Sequence, residues 1–169
     1  MIVIKDSMVL IHLAKITILE NACDFFKNIL IPEKVFEETV LKGKERSFDD
    51  AMLIESIIKK GKIRVMKIRK KELIKKINDF NVFGGEAEAV ALYKQEKANY
   101  IATDDDSVRN KKEILEIRVI GTPSIILMLL NNKKIGTEKA IQSISKLRKI
   151  GWFSNEVMDK MLMEIEKNE

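Results

Sequence analysis

Carboxylates stand where apolar runs end in this chain of 169 residues. Asp6 closes Ile2-Val3-Ile4, and Asp104, Asp105 and Asp106 follow Tyr100-Ile101-Ala102-Thr103. Glu38 and Glu88 lie on helical patterns that open after Pro32 and after Gly84-Gly85. Charge beside apolar strands is costly unless a cation compensates it, and in an open parallel sheet the strand ends are where ligands bind. Hard oxygen ligands in that position suggest a site for Mg²⁺ or Mn²⁺. Three or four carboxylates around such ions can activate water and stabilise the leaving oxygen of a phosphodiester. Asp6, Glu38, Glu88 and Asp104 belong to four separate elements, so only the fold can bring them together.

Each acid also has a purely structural use. Asp6 is placed to cap a helix beginning at Ser7, and Asp106 to cap one beginning at Ser107. Glu37 and Glu38 point about 100° apart on a helix, so at most one faces a site. Glu86, in the first turn of its helix, offsets the helix dipole, which leaves Glu88 as the better ligand candidate. Asp104 has no capping role.

The elements that must position these residues alternate between strand and helix, the pattern of an α/β fold with a parallel sheet. Strands are expected near residues 2–6, 29–31, 63–68, 100–103 and 118–120. The strand at 63–68 alternates apolar and basic residues, as an edge strand does. Helices are expected over about 7–15, 18–26, 33–41, 48–59, 70–77, 86–95, 107–115, 121–130, 137–150 and 155–167. Lys42-Gly43-Lys44 reads as a break. There is no repeat, linker or low-complexity tract, so one domain is expected over 1–169, with the helices from about 137 packed on its core.

Net charge is +5, but ten of the basic residues fall between Lys59 and Lys76 against one acid, Glu72. The remainder of the chain is therefore net acidic. A basic band on an acidic body suits a polyanion, and it serves equally as a solvated surface. Cys23 is the only cysteine, which excludes an internal disulfide and thiolate zinc sites. Lys5 and Asp6 interrupt the apolar start, unlike a signal peptide, and Ile125–Leu130 is too short to span a bilayer. A cytoplasmic protein without membrane contact is expected.

Other chemistries lack their residues. Neither G-x-G-x-x-G nor a P-loop signature is present. His12, the only histidine, lies among Leu10, Leu13 and Ala14 and is expected to pack there, so a Ser-His or Cys-His nucleophile lacks support. Trp152 beside Phe153 reads as a core anchor between helices, not as a base-stacking platform.

Taken in order, Asp6 to Lys15, Ile31-Pro32 to Glu38, Gly85 to Leu92, Thr103-Asp104-Asp105 and Val119 to Thr122 form a set that resembles the PIN-domain family, the fold of VapC-type toxin ribonucleases. The similarity continues through Gly151-Trp152-Phe153 and covers nearly the whole chain. It implies a three-layer α/β/α fold with about five parallel strands, and Mg²⁺ or Mn²⁺ held by acids at the C-terminal edge. The family's four acids match Asp6, Glu38, Glu88 (Glu86 less well), and Asp104 or Asp105. Met8 stands where many relatives have Ser or Asn, and Lys5 replaces an apolar residue, where its ammonium could compete for the Asp6 carboxylate.

The resemblance implies a metal-dependent endoribonuclease, the toxin half of a toxin–antitoxin pair. Asp6 and Asp104 would hold the principal ion, with Glu88, Glu38 or Asp105 completing the shell. Lys67, Arg69, Lys70, Lys71, Lys75 and Lys76 would contact RNA phosphates. A cognate antitoxin and a homodimer are implied in the same way. The alternative is a relative that binds nucleic acid without turnover.

Overall fold

Alternation along β1 (Ile2–Lys5) decides the layering, because successive strand side chains point to opposite faces. In the computed structural model, which describes residues 1–167, Val3 enters one apolar core and Ile4 another. After β1 come α1 (Ser7–Lys15) and α2 (Leu19–Phe26). β2 (Asn28–Pro32) runs into α3 (Glu33–Phe36), a π-helical turn (Glu37–Leu41), α4 (Lys42–Glu45) and α5 (Asp49–Lys59). β3 (Ile63–Met66), α6 (Lys71–Asn78) and α7 (Gly84–Glu96) precede β4 (Tyr100–Ala102), α8 (Asp106–Arg109) and β5 (Val119–Ile120). The helices α9 (Thr122–Asn131), α10 (Thr137–Ile150) and α11 (Asn155–Glu166) follow.

The five strands are all parallel in the order β3-β2-β1-β4-β5, so β1 is central and both edges are short. Ile4 lies opposite Leu30 on one side and Ile101 on the other. The Asp6 amide extends the ladder by donating to the Ala102 carbonyl at 3.1 Å. One core joins Val3, Ile29 and Ile31 to Leu13, Phe26, Ile54 and Ile126, with Leu147 and Ile165 from α10 and α11. The other joins Ile4, Leu30 and Ile101 to Ile77, Ala87, Val90 and Val108. The result is a three-layer α/β/α fold around a five-stranded parallel sheet, as the sequence pattern predicts. Among the described residues no helix is long and apolar enough to cross a membrane.

Two expected boundaries move. Lys42-Gly43-Lys44 does not break the helix, which continues through the π-helical turn to Glu45. Gly43 is buried there for contact, since a Cβ would fall 2.6 Å from that of Ala51. The helix expected over 107–115 stops at Arg109. An irregular turn ending at Glu116, with φ 51°, instead returns Leu115 and Ile117 to the core within a short span.

Lys5 shares the Val3 face and is fully buried. Its Nζ lies 5.0 Å from the centroid of the Phe26 ring, a cation–π contact, and makes no hydrogen bond. The ammonium therefore makes no ion pair with the Asp6 carboxylate, although it feels its charge. Burial lowers its pKa to about 8, against the pull of Cys23, Asp6 and Asp104. In the unfolded chain it titrates near 10.5, so the folded state binds fewer protons between those values and stability rises with pH across that window. Lys5→Met is expected to flatten this rise and to add on the order of 2 kcal/mol at neutral pH. Urea denaturation at neutral pH and near pH 10 measures both effects.

Candidate metal centre

The turn from β1 into α1 gives Asp6 two tasks. Its Oδ1 accepts from the Val9 amide at 2.9 Å and so caps α1. Its Oδ2 is buried with no donor in hydrogen-bond reach. Capping, which the sequence sets against ligand duty, thus occupies one oxygen and leaves the other without a hydrogen bond. Burial pushes the Asp6 pKa up to about 7; the Thr103 hydroxyl and the Val9 amide pull it down, while Asp104 and Glu86 push it further up.

Asp104 follows β4, whose pairing with β1 brings it beside Asp6. Its carboxylate is almost fully enclosed. Oδ1 accepts from the Thr122 amide at 2.7 Å, and Oδ2 from the Thr122 hydroxyl. His12 Nδ1 lies 2.8 Å from the same Oδ2. His12 is thus not a packing residue only; it reaches across from α1 to orient Asp104, as an outer partner fixes a ligand's carboxylate. The signal in the sequence is its spacing of four from Met8, since both line the same groove. Thr122 went unnoticed as a positioning residue because nothing local distinguishes it.

The adjacent acids divide by role. Asp105, not Asp106, caps α8, accepting from the Val108 amide at 3.1 Å and from the Ser107 hydroxyl. Glu37 faces Lys34 and Lys42 at the surface, while Glu38 turns inward and accepts from the Ser7 hydroxyl. A Cβ on Gly85 would fall 2.6 Å from Glu38 Oε2, so that glycine lets the carboxylate rest on the first turn of α7. Ser7 therefore supplies the support that Met8 lacks.

Glu86 and Glu88 have different surroundings. Glu88 accepts from the Lys34 amide at 3.3 Å and satisfies the start of α3. Burial raises the Glu86 pKa; its own backbone amide opposes this, and Asp105 and Glu38 add to it. Glu86 thus feels the charge of the other carboxylates, whereas Glu88 meets the amide of the neighbouring helix.

The donor set suits an ion that keeps most of its waters. Among the described residues no group of three or more His, Cys, Asp or Glu side chains is arranged to hold a metal on its own. Mg²⁺ or Mn²⁺ needs only one or two carboxylates, and the free Asp6 Oδ2 beside Asp104 provides that minimum. The residues fit the ion as a sparse, water-rich site.

The basic band is less free than its composition suggests. Lys62 pairs with Glu20 and Asp24, Lys67 approaches Glu33 at 3.9 Å, and Arg69 meets Glu96 at 3.0 Å. Arg69 thus sits at the last turn of α7, whose first turn meets Glu38. Lys70, Lys71, Lys75 and Lys76 are exposed and have no carboxylate partner among the described residues.

A groove of about 590 Å³ opens beside Asp104, lined also by His12, Arg109, Trp152 and Phe153. Trp152 is 99% exposed and anchors no core. Phe153 takes the inward position, its ring close enough that a Cβ on Gly151 would meet it, and the alternating backbone turns the indole outward.

A family model described as a PIN domain matches residues 2–167. No curated protein and no solved structure matches the chain.

The raised Asp6 pKa has a definite sign. The folded protein holds a proton there between about pH 4 and 7 that the unfolded chain has released, so this group's contribution to stability falls as pH rises through that window. Asp6→Asn, which keeps an oxygen for the Val9 amide, is expected to raise stability above pH 7 by on the order of 2 kcal/mol and to change little below pH 4. Thermal or urea unfolding across that range measures it.

Proposed function

The chain belongs to the PIN-domain family, whose members are generally nucleases, and from that premise we propose that it is a divalent-cation-dependent endoribonuclease, the toxin of a toxin–antitoxin pair. The observation that carries the reading is the buried, donorless Asp6 Oδ2 beside Asp104 at the C-terminal edge of the sheet. Bound there, Mg²⁺ or Mn²⁺ would supply polarisation of a phosphoryl oxygen and a nucleophilic water. Asp6 and Asp104 would hold the ion, with Glu38 and Glu86 reaching it through water. His12 and Thr122 fix the rotamer of Asp104, and Ser7 fixes that of Glu38. Glu88 serves the α3 backbone instead.

The free lysines of α6, with Lys70 before them, would hold RNA phosphates and position the strand without reading its sequence. An antitoxin that offers a basic side chain to the carboxylates would silence the site by taking the cation's place. A homodimer acting in the cytoplasm completes the proposal.

RNA binding without turnover is a second reading, favoured by the engagement of both Asp104 oxygens with His12 and Thr122. Incubation of the purified protein with a mixed RNA pool and Mn²⁺ separates the two. Cleavage is expected, with Asp104→Asn reducing the rate at least about 100-fold and His12→Ala about tenfold. Cleavage that survives both chelator and Asp104→Asn overturns the proposal, and binding without cleavage establishes the second reading. Replacing Lys70, Lys71, Lys75 and Lys76 by Glu is expected to weaken RNA binding and flatten its salt dependence, read by anisotropy at several salt concentrations.

A further inference from the structure

The groove beside Asp104 carries two groups that neither the acid cluster nor the fold employs. One is the indole of Trp152, exposed over 99% of its surface, although a large aromatic ring ordinarily gains by burial. The other is Arg109. Its guanidinium meets no carboxylate among the described residues, and the side chain's one hydrogen bond there is a long one, 3.4 Å to the Thr103 carbonyl. The end of Arg109 lies against Gly121, where a Cβ would meet its Nη1 at 2.5 Å and Asp104 Oδ1 at 3.0 Å. Glycine at 121 therefore keeps the guanidinium next to the acid.

We infer that this groove is a nucleotide subsite, in which Trp152 stacks on an unpaired base and Arg109 receives the adjoining phosphate. The inference rests on the proposed nuclease reading and extends it to two residues that would contact the substrate beside the carboxylates. Three features of the groove favour a nucleotide, although Asp105 and Asp106 line it as well and leave Arg109 as the group that must receive the phosphate. A flat apolar face suits a base, a planar cation suits a phosphate oxygen pair, and Asp104 makes the groove continuous with the carboxylates. Stacking of this kind accepts any base but requires it to be unpaired.

Trp152 is the only tryptophan, so intrinsic fluorescence reports on the subsite directly. The probe is a short end-labelled single-stranded oligoribonucleotide, titrated into the full chain in chelator, with anisotropy followed beside indole emission. Saturable quenching that tracks binding is expected, with an abasic strand of equal length causing little. Trp152→Ala is expected to weaken binding about tenfold, Trp152→Phe to restore most of it, and both to leave the urea midpoint unchanged. In Mn²⁺, Trp152→Ala should raise KM by a similar factor, and Arg109→Gln should raise it less.

Equal affinity for abasic and intact strands, or an unaltered KM in Trp152→Ala, overturns the subsite while leaving cleavage intact. Absence of both RNA binding and cleavage in the wild type overturns the nuclease reading and the subsite with it. A change of oligomeric state in Trp152→Ala at unchanged RNA affinity also overturns the subsite and assigns the face to a second copy of the chain.

Discussion

The ladder between β1 and β4 is the constraint on which the site depends. Ile4 faces Ile101, Lys5 faces Ala102, and the Asp6 amide adds one more bond to the Ala102 carbonyl. That register ends both strands at one level, so two residues 98 positions apart deliver carboxylates to one place. Side chains alternate with period two, so a slip of one residue would send Lys5 toward the other core and Asp6 away from Asp104. Apolar packing on both faces of the sheet holds the register, and the chemistry of the edge follows from it.

The carboxylates are held mainly by the starts of helices. Asp6 caps α1, Asp105 caps α8, Glu88 meets the opening turn of α3, and Glu38 rests on that of α7. Free amides and the positive end of the helix dipole favour negative charge at each of these places. This explains how so many acids gather without three of them converging on one point. A cation would join a site whose charge is already partly balanced, and would find Asp6 Oδ2 the least committed oxygen.

Much of this was legible in the residues. The order of strands and helices, the buried run at each strand, the edge character of β3 and the position of Asp6 follow from periodicity and turn chemistry. The partners of each acid were less legible, because they are set by contacts distant in sequence. His12 meets Asp104 across 92 positions, and the claim of α3 on Glu88 comes from Lys34, 54 positions away. The basic band looked free because its neutralising acids, Glu20, Asp24, Glu33 and Glu96, lie outside it or in other elements. Trp152 looked like an anchor because size alone cannot say which of two neighbouring aromatics turns inward.

The margins of the sheet carry one more consequence. β3 is a four-residue strand that places Arg64 in solvent, and β5 has two residues. The charge on β3 and the shortness of β5 both disfavour recruitment of a foreign strand. Copies of this molecule are thereby steered away from edge-to-edge growth and fibre formation. Association through side chains elsewhere on the surface is left as the open route.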